Sequence, residues 1–121
     1  WRCFSHAGSQ DTGRDLVDWA REVEDRGAGE ILLTSIHRDG RMEGYDLPMV
    51  EAVTTTLKIP VIASGGAGSY EDITAVVTQA GAAAAAAASI FHFTEMTPRG
   101  AKDALAASGV AIREPFRGLQ D

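Results

Sequence analysis

The sequence predicts an α/β fold built on a parallel sheet. Short apolar runs begin near residues 1, 30, 60 and 83, and each is followed by polar or glycine-rich residues and then by helix signals. Strand regularly alternating with helix implies right-handed βαβ units rather than hairpins or a helical bundle.

Trp1–Ser5 is a short apolar strand candidate, and His6–Gly13 a polar turn. Asp15–Arg26 has helical spacing: Leu16, Val17, Ala20 and Val23 share one face, while Asp15, Asp18, Arg21, Glu22 and Asp25 lie mostly on the other. Gly27 stands where a helix end wants a left-handed residue. Glu30–Ser35 then reads as a strand buried on both sides, as parallel strands are. The polar loop Ile36–Asp46 follows, and Asp46 caps a helix running through Thr55, with Pro48 tolerated in its first turn.

Pro60–Ala63 is the third strand and Gly65–Gly68 the turn after it. Ser69 precedes a helix over Tyr70–Gln79, with Asp72 near its positive end. The run Ala82–Ala88 sets propensity against context. Alanine is the best helix former, but the run follows a helix and the Gly81 break, which is where a strand belongs. A strand is the expectation. Thr97 and Pro98 open the last helix and Gly109 closes it.

Four such units make one domain over residues 1–121. A complete (β/α)8 TIM barrel needs eight strands and roughly 250 residues, so the expectation is half a barrel. A flavodoxin-like open sheet is the alternative, but it would want a fifth strand. A four-strand sheet would leave Trp1–Ser5 and Ala83–Ala87 as unpaired edges, which invites self-association. The chain opens at Trp1 without a Met, and a fragment is the expectation.

The charge of −6 and pI near 4.9 argue against nucleic acid or an anionic membrane as the main partner. An anionic ligand would have to be held locally, by backbone N–H groups. Cys3 is the single cysteine, so no internal disulfide is possible, and a reducing cytoplasm is the simplest compartment. His6, His37 and His92 share no metal-ligand spacing, and neither a metal nor a cofactor is expected.

In a parallel α/β layout, ligands gather at the carboxyl ends of the strands. Ser64-Gly65-Gly66-Ala67-Gly68 falls there, followed by a helix N-terminus, so a phosphate could approach the backbone closely. Ala88-Ser89 ends the next strand and offers a hydroxyl to the same anion. The loop carrying His37, Arg38, Asp39 and Arg41 is third. Each also has an ordinary reading: Gly-Gly as a tight connection, Ser89 as a helix cap, Asp39-Gly40 as a common turn.

Gly27–Leu47 (GAGEILLTSIHRDGRMEGYDL), Ile59–Gly68 (IPVIASGGAG) and Ala87–Phe93 (AASIFHF) together resemble the cyclase subunit of imidazole glycerol phosphate synthase, and the likeness runs through nearly the whole chain. Gly-Tyr-Asp after the Arg-Asp-Gly loop fits this family better than its sister isomerase. The resemblance implies a C-terminal half-barrel, units five to eight. It implies a phosphorylated substrate, N'-phosphoribulosyl-formimino-aminoimidazole carboxamide ribonucleotide, ammonia from a glutaminase subunit, and closure of the imidazole ring. One substrate phosphate would be held by Gly65, Gly66, Ala88 and Ser89. Thr34 and Ser64 would face the ligand from strand ends, Asp39 and Gly40 from the substrate loop, and Glu30 would gate ammonia at the opposite end of the barrel.

The family's principal acid/base pair, two aspartates of the first half-barrel, has no counterpart here. Asp39 is left as an auxiliary group, and the isolated chain is expected to be inactive. His37 stands where the family has Asp, and Ala7 where it has Gly or Ser. The alanine run lacks an aspartate and a leucine near Ala83 and Ala86, and one residue is inserted before Gly81.

Overall fold

The structure, a computed structural model, describes residues 1–114. Five strands and five helices follow the chain as β1 (Arg2–Ser5), β2 (Gln10–Asp15), α1 (Leu16–Asp25), β3 (Ile31–Thr34), α2 (Leu47–Thr54), β4 (Val61–Ser64), α3 (Tyr70–Thr78), β5 (Ala84–Ala86), α4 (Ser89–Phe93) and α5 (Pro98–Ala107).

Caps place the helices. Asp15 accepts from the backbone N–H groups of Val17 and Asp18 at 3.0 and 3.1 Å and so opens α1. Asp46, Ser69 and Thr97 do the same for α2, α3 and α5, each accepting from the third residue onward. A side-chain oxygen here satisfies a donor that the helix itself cannot. Gly27 and Gly109 follow α1 and α5 with φ of +98° and +80°, the left-handed geometry that ends a helix.

The parallel sheet has the order β3–β4–β5, in register Leu33↔Ala63↔Ala85 and Thr34↔Ser64↔Ala86. One face carries the core. Leu33, Val61 and Ala63 pack beneath Met49, Val50 and Val53 of α2 and Ile73 and Val76 of α3, all buried. On the other face Leu32, Ile62 and Ala84 form a row that lies open at Leu32, which is 63% exposed. The Ala-rich run is a strand, as its context demanded. Ala83 donates to the Val61 carbonyl at 2.9 Å, and this backbone pairing with β4 outweighs the helical preference of alanine.

Trp1–Ser5 does not join that sheet. The parallel sheet has three strands instead of four, and β1 pairs antiparallel with β2, a segment whose polar character had read as a turn and connection. All six residues of β2 are exposed, so no apolar alternation announced a strand. The free edges of the parallel sheet are therefore β3 and β5, and Trp1–Ser5 is not one of them. His6, Ala7 and Gly8 turn the hairpin with φ of 52°, 54° and 83°. An alanine is disfavoured in that region by roughly 1–2 kcal/mol. Backbone geometry at this turn is thus enough to explain a preference for glycine at position 7.

The missing leucine bulk in the alanine run also reads differently on the structure. Ala83 is exposed and Ala86 only half-buried, so the full penalty of emptying a packed core does not fall on this chain.

Candidate functional site

At the carboxyl ends of β4 and β5 a small pocket of about 140 Å³ is enclosed by three loops. Ser64, Gly65, Gly66 and Ala67 form one wall, Ala86 to Ser89 the second, and Asp39, Gly40 and Met42 the third. Gly65, Gly66, Ala88, Ser89, Ser64, Asp39 and Gly40, all candidates from the sequence, thus meet at one place. Thr34 pairs with Ser64 on the neighbouring strand but lines a different, larger cleft. Glu30 precedes β3 at the opposite end of the sheet, about 13 Å along the strand from Thr34.

The loops are locked together through glycines. Gly65 and Gly66 have φ of +89° and +117°, and the Gly44 N–H donates to the Gly66 carbonyl at 2.7 Å. A Cβ on Gly66 would stand 2.2 Å from the Gly44 carbonyl oxygen, and one on Gly68 would stand 2.0 Å from that of Met42. Only backbone without side chains permits this approach. The Arg38 guanidinium donates to the Gly44 carbonyl at 3.3 Å and draws the loop between β3 and α2 into a closed turn. Asp72 accepts from Gly68 N–H at 2.9 Å and fixes the far side of the glycine turn.

Tyr45, buried to 4% exposure, donates its hydroxyl to the Ala86 carbonyl at 2.8 Å, tying the loop between β3 and α2 to β5. Gly44 and Tyr45 are positioning groups that motif reading passed over, and Arg38, which it named in the candidate loop, holds that loop's own carbonyls. The Gly-Tyr-Asp triplet marked the family but gave no hint of this contact. Burial, with the Asp72 charge adding, pushes the Tyr45 phenol from 10 up to about 12. Its folded value lies above its unfolded one, so the stabilisation is complete below pH 10 and is lost between pH 10 and 12. The expected loss is about 2–3 kcal/mol, read as an alkaline fall in denaturation midpoint that Tyr45→Phe removes.

Among the described residues, the one ionisable side chain on the pocket wall is Asp39. Arg38 is committed to carbonyl oxygens, so an anion would depend on N–H groups and the Ser64 and Ser89 hydroxyls. α4 starts after Ala88 with no side-chain cap, which leaves its first N–H groups without a side-chain acceptor. The histidines do not converge: His6 sits in the hairpin turn, His37 on the larger cleft and His92 in α4. Among the described residues no cluster of three His, Cys, Asp or Glu could hold a metal ion, and no helix is long and apolar enough to cross a membrane. Burial, and then Asp15, raise the Cys3 thiol above its ordinary value, so it is not a poised thiolate.

A family described as histidine biosynthesis protein matches residues 2–97. The chain belongs to that family. Its parallel three-strand sheet with helices packed on one face is consistent with half of the TIM barrel of that family. Among relatives, imidazole glycerol phosphate synthase subunit HisF of Hyphomonas neptunium is 53% identical over 113 residues, 93% of this chain and 45% of that protein. The HisF of Metallosphaera sedula is 54% identical over the same shares, and that of Caulobacter vibrioides is 50% identical over 93% and 44%. The chain therefore spans a little under half the length of the curated relatives it matches. A chain in the crystal structure of the Amycolatopsis orientalis BexX/CysO complex shares the fold alone, with a TM-score of 0.59 at 17% identity over 83% of this chain and 44% of that one.

Proposed function

We propose that this chain is the phosphate-holding half of an imidazole glycerol phosphate synthase cyclase. In this reading it grips one phosphate end of the substrate for ammonia-dependent ring closure in histidine biosynthesis. The carrying observation is the meeting of Gly65, Gly66, Ala88 and Ser89 around one pocket, at the strand ends where barrels hold ligands. Identities of 53% and 54% to HisF relatives over 93% of this chain support the same activity. The remaining half-barrel supplies the acid/base pair, and a glutaminase subunit delivers ammonia past Glu30.

Titration calorimetry with a sugar phosphate tests the site. Gly66→Glu is a poor control, because any side chain there collides with Gly44. Ala88 is exposed, with φ of −136°, so Ala88→Glu places a carboxylate at the pocket without straining the fold. Binding by the parent chain and at least roughly tenfold weaker binding by this variant are expected, since one like charge at close range costs more than 1 kcal/mol. Equal affinity in the two would remove the reading.

A second reading, a self-associating phosphate-binding scaffold without catalysis, draws on the exposed Leu32 and the free β3 and β5 edges. Light scattering separates them: a monomer at micromolar concentration is incompatible with the scaffold.

A further inference from the structure

Asp39 and Gly40 form the one Asp-Gly pair in the sequence, and the chain has no asparagine. Both residues are exposed, in the loop between β3 and α2 that walls the pocket. The hydrogen bonds of this loop pass the pair by. Asp39 N–H donates to the Ser35 carbonyl at 2.9 Å and Arg41 N–H to the Arg38 carbonyl at 3.0 Å. Among the described residues the Gly40 N–H has no protein acceptor. The nitrogens that follow several other aspartates are tied. Arg26, Leu47 and Ile73 come after Asp25, Asp46 and Asp72, and they donate to the Glu22, Tyr45 and Ser69 carbonyls at 3.0, 3.0 and 3.4 Å. Gly40 also has a φ of +77°, and a Cβ built on it would meet nothing within 4 Å. Neither a side chain of its own nor a packed neighbour bars its nitrogen from the Asp39 carboxyl. The two groups sit in adjacent residues, spaced for a five-membered ring, so they react as an intramolecular pair.

We propose that Asp39-Gly40 is a site of spontaneous covalent modification, where the chain converts its own aspartate to isoaspartate. The Gly40 nitrogen attacks Cγ of Asp39 while that carboxyl is protonated. An N–C bond forms and a C–O bond breaks, and the proton of the nitrogen leaves with the carboxyl OH as water. The product is a succinimide, which a second water opens. Addition at Cγ restores aspartate. Addition at the former backbone carbonyl leaves the chain running through Cβ and Cγ, with a free carboxylate on Cα. The consequence falls on the pocket, because Asp39 carries the ionisable side chain of its wall. The main chain also gains one methylene inside the turn that Arg41 closes on Arg38, at a residue whose Cα stands 3.4 Å from a Cβ built on Gly65. The inference holds whatever the pocket binds.

The test ages the whole 121-residue chain, folded, in warm and mildly acidic buffer and then maps its peptides. A succinimide shows as a peptide lighter by one water. Isoaspartate shows as a peptide of unchanged mass that elutes apart and accepts a methyl group from an isoaspartyl methyltransferase. Conversion at Asp39 should run at least about tenfold faster than at Asp25 or Asp72, where a side chain follows and the nitrogen is bonded. Asp39→Glu keeps the charge at an exposed position but would need a six-membered ring, so methyl acceptance by that peptide should fall to background. Conversion at Asp39 no faster than at Asp25 would overturn the proposal, as would methyl acceptance that survives Asp39→Glu. Conversion in urea but not in the folded chain would overturn it too, since the native turn would then hold the nitrogen away from the carboxyl.

Discussion

The purified chain, given substrate and ammonium at neutral pH, is expected to show no cyclase turnover. Ring closure needs a proton donor and a proton acceptor at the reacting atoms, each contributing on the order of 10²–10⁴ in rate. Among the described residues the pocket wall offers one ionisable side chain, Asp39, and two hydroxyls, Ser64 and Ser89. A single exposed carboxylate cannot serve as both members of a pair whose environments hold them in opposite protonation states. Adding the unmatched part of a HisF relative should bring turnover up from background. Product formation followed by chromatography, with and without that second polypeptide, checks both halves of the expectation. Turnover by the chain unaided would show that the acid/base chemistry resides in it.

Gly66→Ala is expected to be the most damaging single methyl in the site. The added carbon would stand 2.2 Å from the Gly44 carbonyl oxygen, at a residue whose φ is +117°. Backbone strain of about 1–3 kcal/mol and overpacking of a similar size act together, against a total stability of roughly 5–15 kcal/mol for a domain. Gly27→Ala is the informative comparison. Its φ is +98°, but nothing lies within 4 Å of the new carbon, so it meets backbone strain alone. Urea denaturation should therefore place Gly66→Ala at least about 2 kcal/mol below Gly27→Ala. Equal losses would mean that the substrate loop does not rest on the glycine turn.

Much of this was legible because local chemistry and tertiary position agree. Asp46, Ser69 and Thr97 announce their helices by side-chain type, and each caps the helix it precedes. The glycine turn after β4 announced a close approach of backbone, and the approach is there, although it is to Gly44 and Met42 as well as to open pocket. The hairpin escaped notice because β2 buries nothing: Gln10 and Asp11 pair with Ser5 and Phe4, and Thr12 donates its hydroxyl to the Cys3 carbonyl, contacts that no periodicity reports. Tyr45 escaped for a different reason. Its partner, the Ala86 carbonyl, is 41 residues away, and a contact of that range leaves no local mark. α4 was hidden by its brevity, five residues directly after a strand.

The alanine run shows where composition misleads. Propensity alone would have made Ala82–Ala88 a helix, yet Ala84–Ala86 pair with Ile62, Ala63 and Ser64. Tertiary pairing outweighs a preference of under about 1 kcal/mol per residue. The same small side chains keep the pocket mouth open between Ala86 and Ser89.

Amide chemical shifts of the ¹⁵N-labelled chain during titration with inorganic phosphate offer the most direct look at the site. Shifts that saturate and concentrate on Gly65, Gly66, Ser89 and Ile90 are the expected result. Changes confined to the arginines of the hairpin and α1, with those four amides unmoved, would contradict it.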